Sequence, residues 1–183
     1  MPLETGEVRY LDGLENKIRS LRDALAMGIP ELKSLEIPTT YRWLVGIKTI
    51  LGNFNNDVSF IGALMAKDFL LNRHRISGLD VSLKAQGAAG FDIEVTAANG
   101  DRIVAEVKTT IPYAGTKLGA KQAEMFRKDF AKLAAVKTRF RYFFVTEKEA
   151  FDATLRKYGT DLEGITVVLL PNGISDERYV RTL

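Results

Sequence analysis

Apolar residues recur at helical spacing along the first third of the chain. Leu11, Leu14, Ile18, Leu21 and Leu25 step by three and four, with Lys17, Arg19, Arg22 and Asp23 on other faces. The stripe is as narrow as a coiled-coil seam but too short to stand as one. It therefore packs on the body of the protein or on a second copy. Gly28 and Pro30 end it. After Pro38, Thr39 or Thr40 is placed to cap a helix carrying Trp43, Leu44, Ile47, Ile50 and Leu51. Gly52 to Asn56 reads as a loop. Asn56 is then the N-cap of a third helix, which runs to about Arg73 and buries Val58, Ile61, Leu64 or Met65, and Phe69.

From Leu79 the period falls to two. Leu79, Val81 and Leu83 alternate with Asp80 and Ser82, which predicts a strand. Phe91, Ile93 and Val95 alternate with Asp92 and Glu94, and Asn99-Gly100 is a strong hairpin turn. The return strand, 102–110, puts Ile103, Ala105 and Val107 on one face and Val104, Glu106 and Lys108 on the other. A helix follows with Ala123, Phe126, Phe130 and Leu133 inward, then a strand over 141–145. A helix with Ala150, Phe151, Leu155 and Tyr158 comes next, then the continuous apolar run 165–170 of a buried strand. Helices, three strands, helix, strand, helix, strand is the order of an α/β fold, a central mixed sheet flanked by helices. Residues 1–52 form an N-terminal helical extension, with dimerisation or DNA contact as its expected use, and residues 53–183 the core domain.

Composition narrows the classes. The chain has 183 residues, 46% of them hydrophobic, enough for one packed core. The absence of cysteine removes disulfides, thiolate nucleophiles and zinc–thiolate sites. There is no apolar run of the ~18 residues that a membrane span needs. Met1 to Tyr10 carries Glu4 and Glu7 and is not a secretory leader, so a cytoplasmic protein is expected. Net charge is only +3, yet between Lys117 and Arg141 eight basic residues meet two acids. A clustered cationic stretch of this kind suits a phosphate backbone. No P-loop and no nucleophile elbow is present, so no nucleotide cofactor is expected. His74, the one histidine, reads as a polar helix-end residue and rules out a histidine-rich metal site.

Candidate chemistry concentrates on the hairpin. Glu106 and Lys108 stand two apart on a strand and leave the same face. Asp92, on the preceding strand, falls opposite Glu106 or Lys108. Two carboxylates and an amine so placed suit Mg²⁺, a hard cation that prefers carboxylate oxygens and keeps several waters. The carbonyl of Val107, between the two side chains, is a further ligand candidate. Lys108 is placed to orient an attacking water or to stabilise charge on phosphorus. Glu94 shares the parity of Asp92.

Gly90-Phe91-Asp92-Ile93 followed by Glu106-Val107-Lys108-Thr109-Thr110 resembles the PD-(D/E)XK nuclease superfamily. Its signature is an aspartate on a hairpin's first strand and Glu-x-Lys on the second. The likeness covers about residues 56 to 146, is closest to bacterial type II restriction enzymes, and departs in having Phe91 where proline is common. It implies a restriction-endonuclease-like αβββαβ core and Mg²⁺-dependent cleavage of double-stranded DNA, with a homodimer if both strands of a palindrome are cut. Asp92, Glu106 and Lys108 would be catalytic. Asp92, Glu106 and the Val107 carbonyl would hold the metal, joined by an acid of the preceding helix, Asp57 or Asp68. Lys117, Lys121, Gln122, Arg127 and Lys128 would face DNA, and the loops 84–90 and 113–119 would flank the site. The alternatives are a structure-specific repair or recombination nuclease and a non-catalytic DNA-binding module.

Overall fold

Helix α1 (Thr5–Ala26) is held to the protein by its polar residues more than by its leucine stripe. Leu11, Leu14 and Leu21 are half-buried, while Ile18 and Leu25 remain exposed. Glu7, by contrast, is wholly buried. Its carboxylate accepts hydrogen bonds from the Lys67 ammonium at 2.6 Å and the Val81 N–H at 3.0 Å. Tyr10 stacks on Phe60 with ring centroids 3.8 Å apart and donates to Asp57, which also pairs with Lys17. The N-terminal helix is thus seated on the third helix through charges that burial makes expensive to leave unpaired. The computed structural model describes residues 1–26, 28, 33, 36–85, 87–112 and 118–183.

Helix α2 (Ile37–Leu51) begins earlier than expected. Glu36 is its N-cap and Pro38 lies in the first turn, where a missing N–H costs nothing; Thr39 and Thr40 are already helical. Helix α3 (Phe54–Arg73) likewise starts after Asn53, and the Asn56 N–H is bonded to the Asn53 carbonyl. Its buried face is Phe60, Leu64, Phe69 and Leu70 with Gly62, Ala66 and Lys67, while Val58 is exposed.

The expected strand over 79–83 is a single 3₁₀ turn, Val81–Leu83. Asp80 accepts from the Ser82 N–H and hydroxyl at 2.8 and 2.6 Å, and Glu7 takes the Val81 N–H. The donors that a ladder would use are spent. Leu79 and Val81 are buried as the alternation demands, but Leu83 is 84% exposed. Two strands therefore lie between α3 and the next helix where the αβββαβ order has three.

Among the described residues the sheet has five strands in sequential order. The hairpin is β1 (Ile93–Thr96) and β2 (Arg102–Lys108), paired antiparallel with Ile93 opposite Ala105. Helix α4 (Ala120–Ala134) crosses to β3 (Phe140–Val145), and α5 (Lys148–Lys157) to β4 (Thr166–Leu169). Both crossovers give parallel pairs. An edge strand β5 (Val180–Thr182), too short to be read from pattern, runs antiparallel to β4. The mixed sheet flanked by helices is the α/β class that the element order predicts.

Alternation along the strands divides the core. Ile93, Ile103, Ala105, Tyr142, Phe144 and Val168 face α3, whereas Val104, Phe143, Val145, Val167 and Leu169 face α4 and α5. Phe143 meets Phe126 and Phe130 edge-on, at 5.2 and 4.7 Å between ring centroids. Each such pair contributes about 0.5–1.5 kcal/mol beyond the area it buries. No helix among the described residues is long and apolar enough to cross a membrane.

Candidate active site

The site lies where the β1 ladder stops and β2 continues. The last pair is Ile93 with Ala105, so the next positions out are Asp92 and Glu106. Asp92 Oδ2 accepts a hydrogen bond from the Val107 N–H at 2.9 Å, in place of a ladder bond. In a strand the N–H and C=O of one residue leave the same edge. The Val107 carbonyl thus faces the side where Asp92 stands. Lys108 turns the other way in the backbone, its carbonyl accepting from the Thr146 N–H beside β3. Behind this point α3 comes close. A Cβ added at Gly62 would stand 2.9 Å from Thr109 and 3.2 Å from Val107, so glycine lets the helix sit against the strand.

Half of the site comes from α4. Lys108 Nζ lies 2.8 Å from Asp129 Oδ2 and 4.0 Å from Glu106 Oε2. Lys132 donates to Glu106 Oε1, donates to the Gly90 carbonyl at 2.5 Å, and sits 4.8 Å from the centre of the Phe91 ring. Each lysine thus pairs with an acid of the other element. Lys84 donates to the Phe91 carbonyl, so two lysines clamp the turn that carries Asp92. The sequence pattern does not single out Asp129, Lys132 or Lys84 as site residues. The signal for two of them is the i, i+3 pair of Asp129 and Lys132 on a helix following Glu-x-Lys, but nothing in the pattern says which flank of the helix meets β2.

The electrostatics are those of crowded carboxylates. Glu106 is 2% exposed, and its pKa is pushed up to about 7. Burial is the main cause and the Asp92 charge the next. The bond from Lys132 opposes them, and Asp129 adds to the rise. Burial lowers the Lys108 pKa, but Asp129, Asp92 and Glu106 outweigh it and leave the ammonium more firmly protonated than usual.

Asp92, Val107 and Lys108 open on a cleft of about 530 Å³, walled also by Tyr10, Ser59, Lys84 and Thr109. The loop after residue 83 flanks it through Lys84, Ala85 and Gly87. The other expected residues divide. Lys121 and Lys128 are exposed on α4, and Arg127 is exposed with its guanidinium 5.5 Å from the Tyr158 ring centre. Gln122 is used internally, accepting from the Gly119 N–H at 2.9 Å and donating to the Ile111 carbonyl at 3.0 Å. Lys117, with most of the loop 113–119, lies outside the described residues. Glu94 is exposed and pairs with Arg102. His74 ends α3 and bonds the Tyr142 hydroxyl at 2.7 Å.

Asp57 is not brought into this group. It is buried, and Tyr10 and Lys17 of α1 occupy its oxygens. Asp68 lies 3.9 Å from the Met1 amine. Among the described residues no three carboxylate or imidazole side chains converge as a ligand set. What remains is two carboxylates and a carbonyl. Those are hard oxygen donors, and Mg²⁺ is commonly held by one or two carboxylates with water completing its shell. The residues fit that ion.

Compared with models of known protein families, with curated proteins and with solved structures, the chain matches none.

Proposed function

We propose that this chain is a Mg²⁺-dependent endonuclease that hydrolyses phosphodiester bonds of double-stranded DNA, of the sequence-specific restriction type. The observation that carries the reading is the placement of Asp92, Glu106 and Lys108 at one strand end, with Glu106 buried, crowded by like charge and titrating near neutrality. A carboxylate so costly to ionise is hard to explain as surface decoration, and its neighbours Asp92 and Lys108 line a cleft, the setting in which perturbed groups mark functional sites. The position also agrees with the general rule that α/β sheets bind ligands at the carboxyl ends of their strands.

Asp92, Glu106 and the Val107 carbonyl would hold the ion. An ion held by these residues would supply Lewis acidity, making water easier to deprotonate and offsetting charge on a phosphoryl oxygen. Lys108 is an ammonium at neutral pH, so it donates a hydrogen bond and positive charge to the phosphate or to the attacking water and does not act as a base. Asp129 holds that ammonium in place. The exposed Lys121, Arg127 and Lys128 would approach the phosphate backbone, a salt-dependent contact. A homodimer would bring two such sites to the two strands.

The test is cleavage of plasmid and genomic DNA with Mg²⁺, beside an EDTA control and Lys108→Ala. Discrete fragments from the wild type alone, with Lys108→Ala slower by about 100-fold or more, are expected. A smear or nicking moves the reading to a repair or recombination nuclease. Equal cutting by Lys108→Ala overturns the assignment of the site, and binding without any cleavage favours a non-catalytic module.

A further inference from the structure

Lys132 holds Glu106 in the way a metal ion would. Its ammonium bonds Glu106 Oε1 and the Gly90 carbonyl, two oxygens that frame the Asp92 turn. The neighbouring Lys108 is engaged by Asp129 and stays 4.0 Å from Glu106. Lys132 is thus the cation in direct contact with the acid that crowding makes least comfortable. It is also the more accessible of the two, its side chain 32% exposed against 16% for Lys108. A flexible four-carbon stem allows the ammonium to leave toward solvent without moving α4.

We propose that Lys132 is a resident counter-cation of this site: it neutralises Glu106 in the metal-free protein, is displaced when a divalent cation binds, and so sets the metal concentration at which the site fills. This rests on the nuclease reading and adds to it a control on metal occupancy. Two positive charges on one carboxylate oxygen repel, so the metal binds against the work of displacing the lysine. Displacement also frees the Gly90 carbonyl, which ties metal occupancy to the turn carrying Asp92. Lys132 is a positioning residue here and has no role on the substrate.

The experiment measures Mn²⁺ binding to the EDTA-stripped, DNA-free protein, following loss of the free-ion electron paramagnetic resonance signal. Lys132→Met should bind Mn²⁺ more tightly by about 10–100-fold, the size that changes around metal ligands have on affinity. Lys132→Arg, which keeps the positive charge, should stay close to wild type. Lys132→Gln, polar and better tolerated at a half-exposed position, should follow Lys132→Met and guards against misfolding of that variant. Unchanged or weaker binding by both neutral variants overturns the inference while leaving the nuclease reading intact. If Asp92→Asn binds Mn²⁺ as wild type does, the metal site itself is wrong, and the inference falls with it.

Discussion

Replacing Glu106 with glutamine should stabilise the metal-free protein above pH 7 while removing a carboxylate that the proposed chemistry needs. Burial foremost, then the Asp92 charge, hold the Glu106 pKa at about 7 against an ordinary glutamate value of 4.5, although Lys132 pulls it down. A carboxyl with a raised pKa keeps its proton in the folded state where the unfolded chain has released it. Stability therefore falls as pH rises from about 4.5 to about 7 and levels off above. At about 1.36 kcal/mol per pKa unit, the loss by pH 8 is ~3 kcal/mol. Glutamine has the shape of the protonated acid and no charge, so it removes most of that penalty. Part returns because Lys132 then faces an amide oxygen. The net gain expected at pH 8 is about 1–3 kcal/mol, or about 2–4 °C in melting temperature per kcal/mol for a domain of this size, shrinking to near zero at pH 4.5. Urea unfolding followed by far-ultraviolet circular dichroism, in EDTA at both pH values, measures it. A glutamine variant less stable than wild type at pH 8, or a difference that does not change with pH, refutes the reasoning.

Two further outcomes follow from the helix contacts. Lys67→Met leaves the buried Glu7 carboxyl without its ammonium partner, and should cost about 3–5 kcal/mol in urea unfolding. The double variant with Glu7→Gln should recover much of that, and a loss no smaller in the double variant would show that the charge is not the cause. Asp57→Asn weakens the hold on Tyr10 and Lys17. It should lower stability by about 1–3 kcal/mol and leave Mn²⁺ affinity as it was; a loss of Mn²⁺ binding would return Asp57 to the metal site.

Much of the candidate site was legible because strand geometry is periodic. A spacing of two puts Glu106 and Lys108 on one face, and Asn99-Gly100 pins the hairpin closely enough to set Asp92 opposite Glu106 or Lys108; the folded ladder, with Ile93 opposite Ala105, chooses Glu106. The α/β class was legible for the same reason, since the period changes at each element. The capping residues that the pattern offers, Thr39 or Thr40 and Asn56, lie three or four residues after the caps Glu36 and Asn53 that the fold uses, because several capping residues compete there and only the folded backbone chooses. The segment 79–83 shows the limit of alternation. It reports which residues are buried, and Leu79 and Val81 are, but it does not report whether the backbone has a ladder to join. Glu7, some seventy residues away in sequence, takes the Val81 N–H and decides against a strand. The pairing of Asp129 with Lys108 and of Lys132 with Glu106, and the loss of Asp57 to α1, are contacts between elements. Local pattern contains the residues of such contacts but not the packing angle that joins them. The chain's own periodicity thus determined the hairpin, the two buried strands that follow it and the face that carries Asp92, Glu106 and Lys108. Only tertiary packing decided which charges surround that face, because desolvation and like-charge repulsion act through space and depend on every element that closes over it.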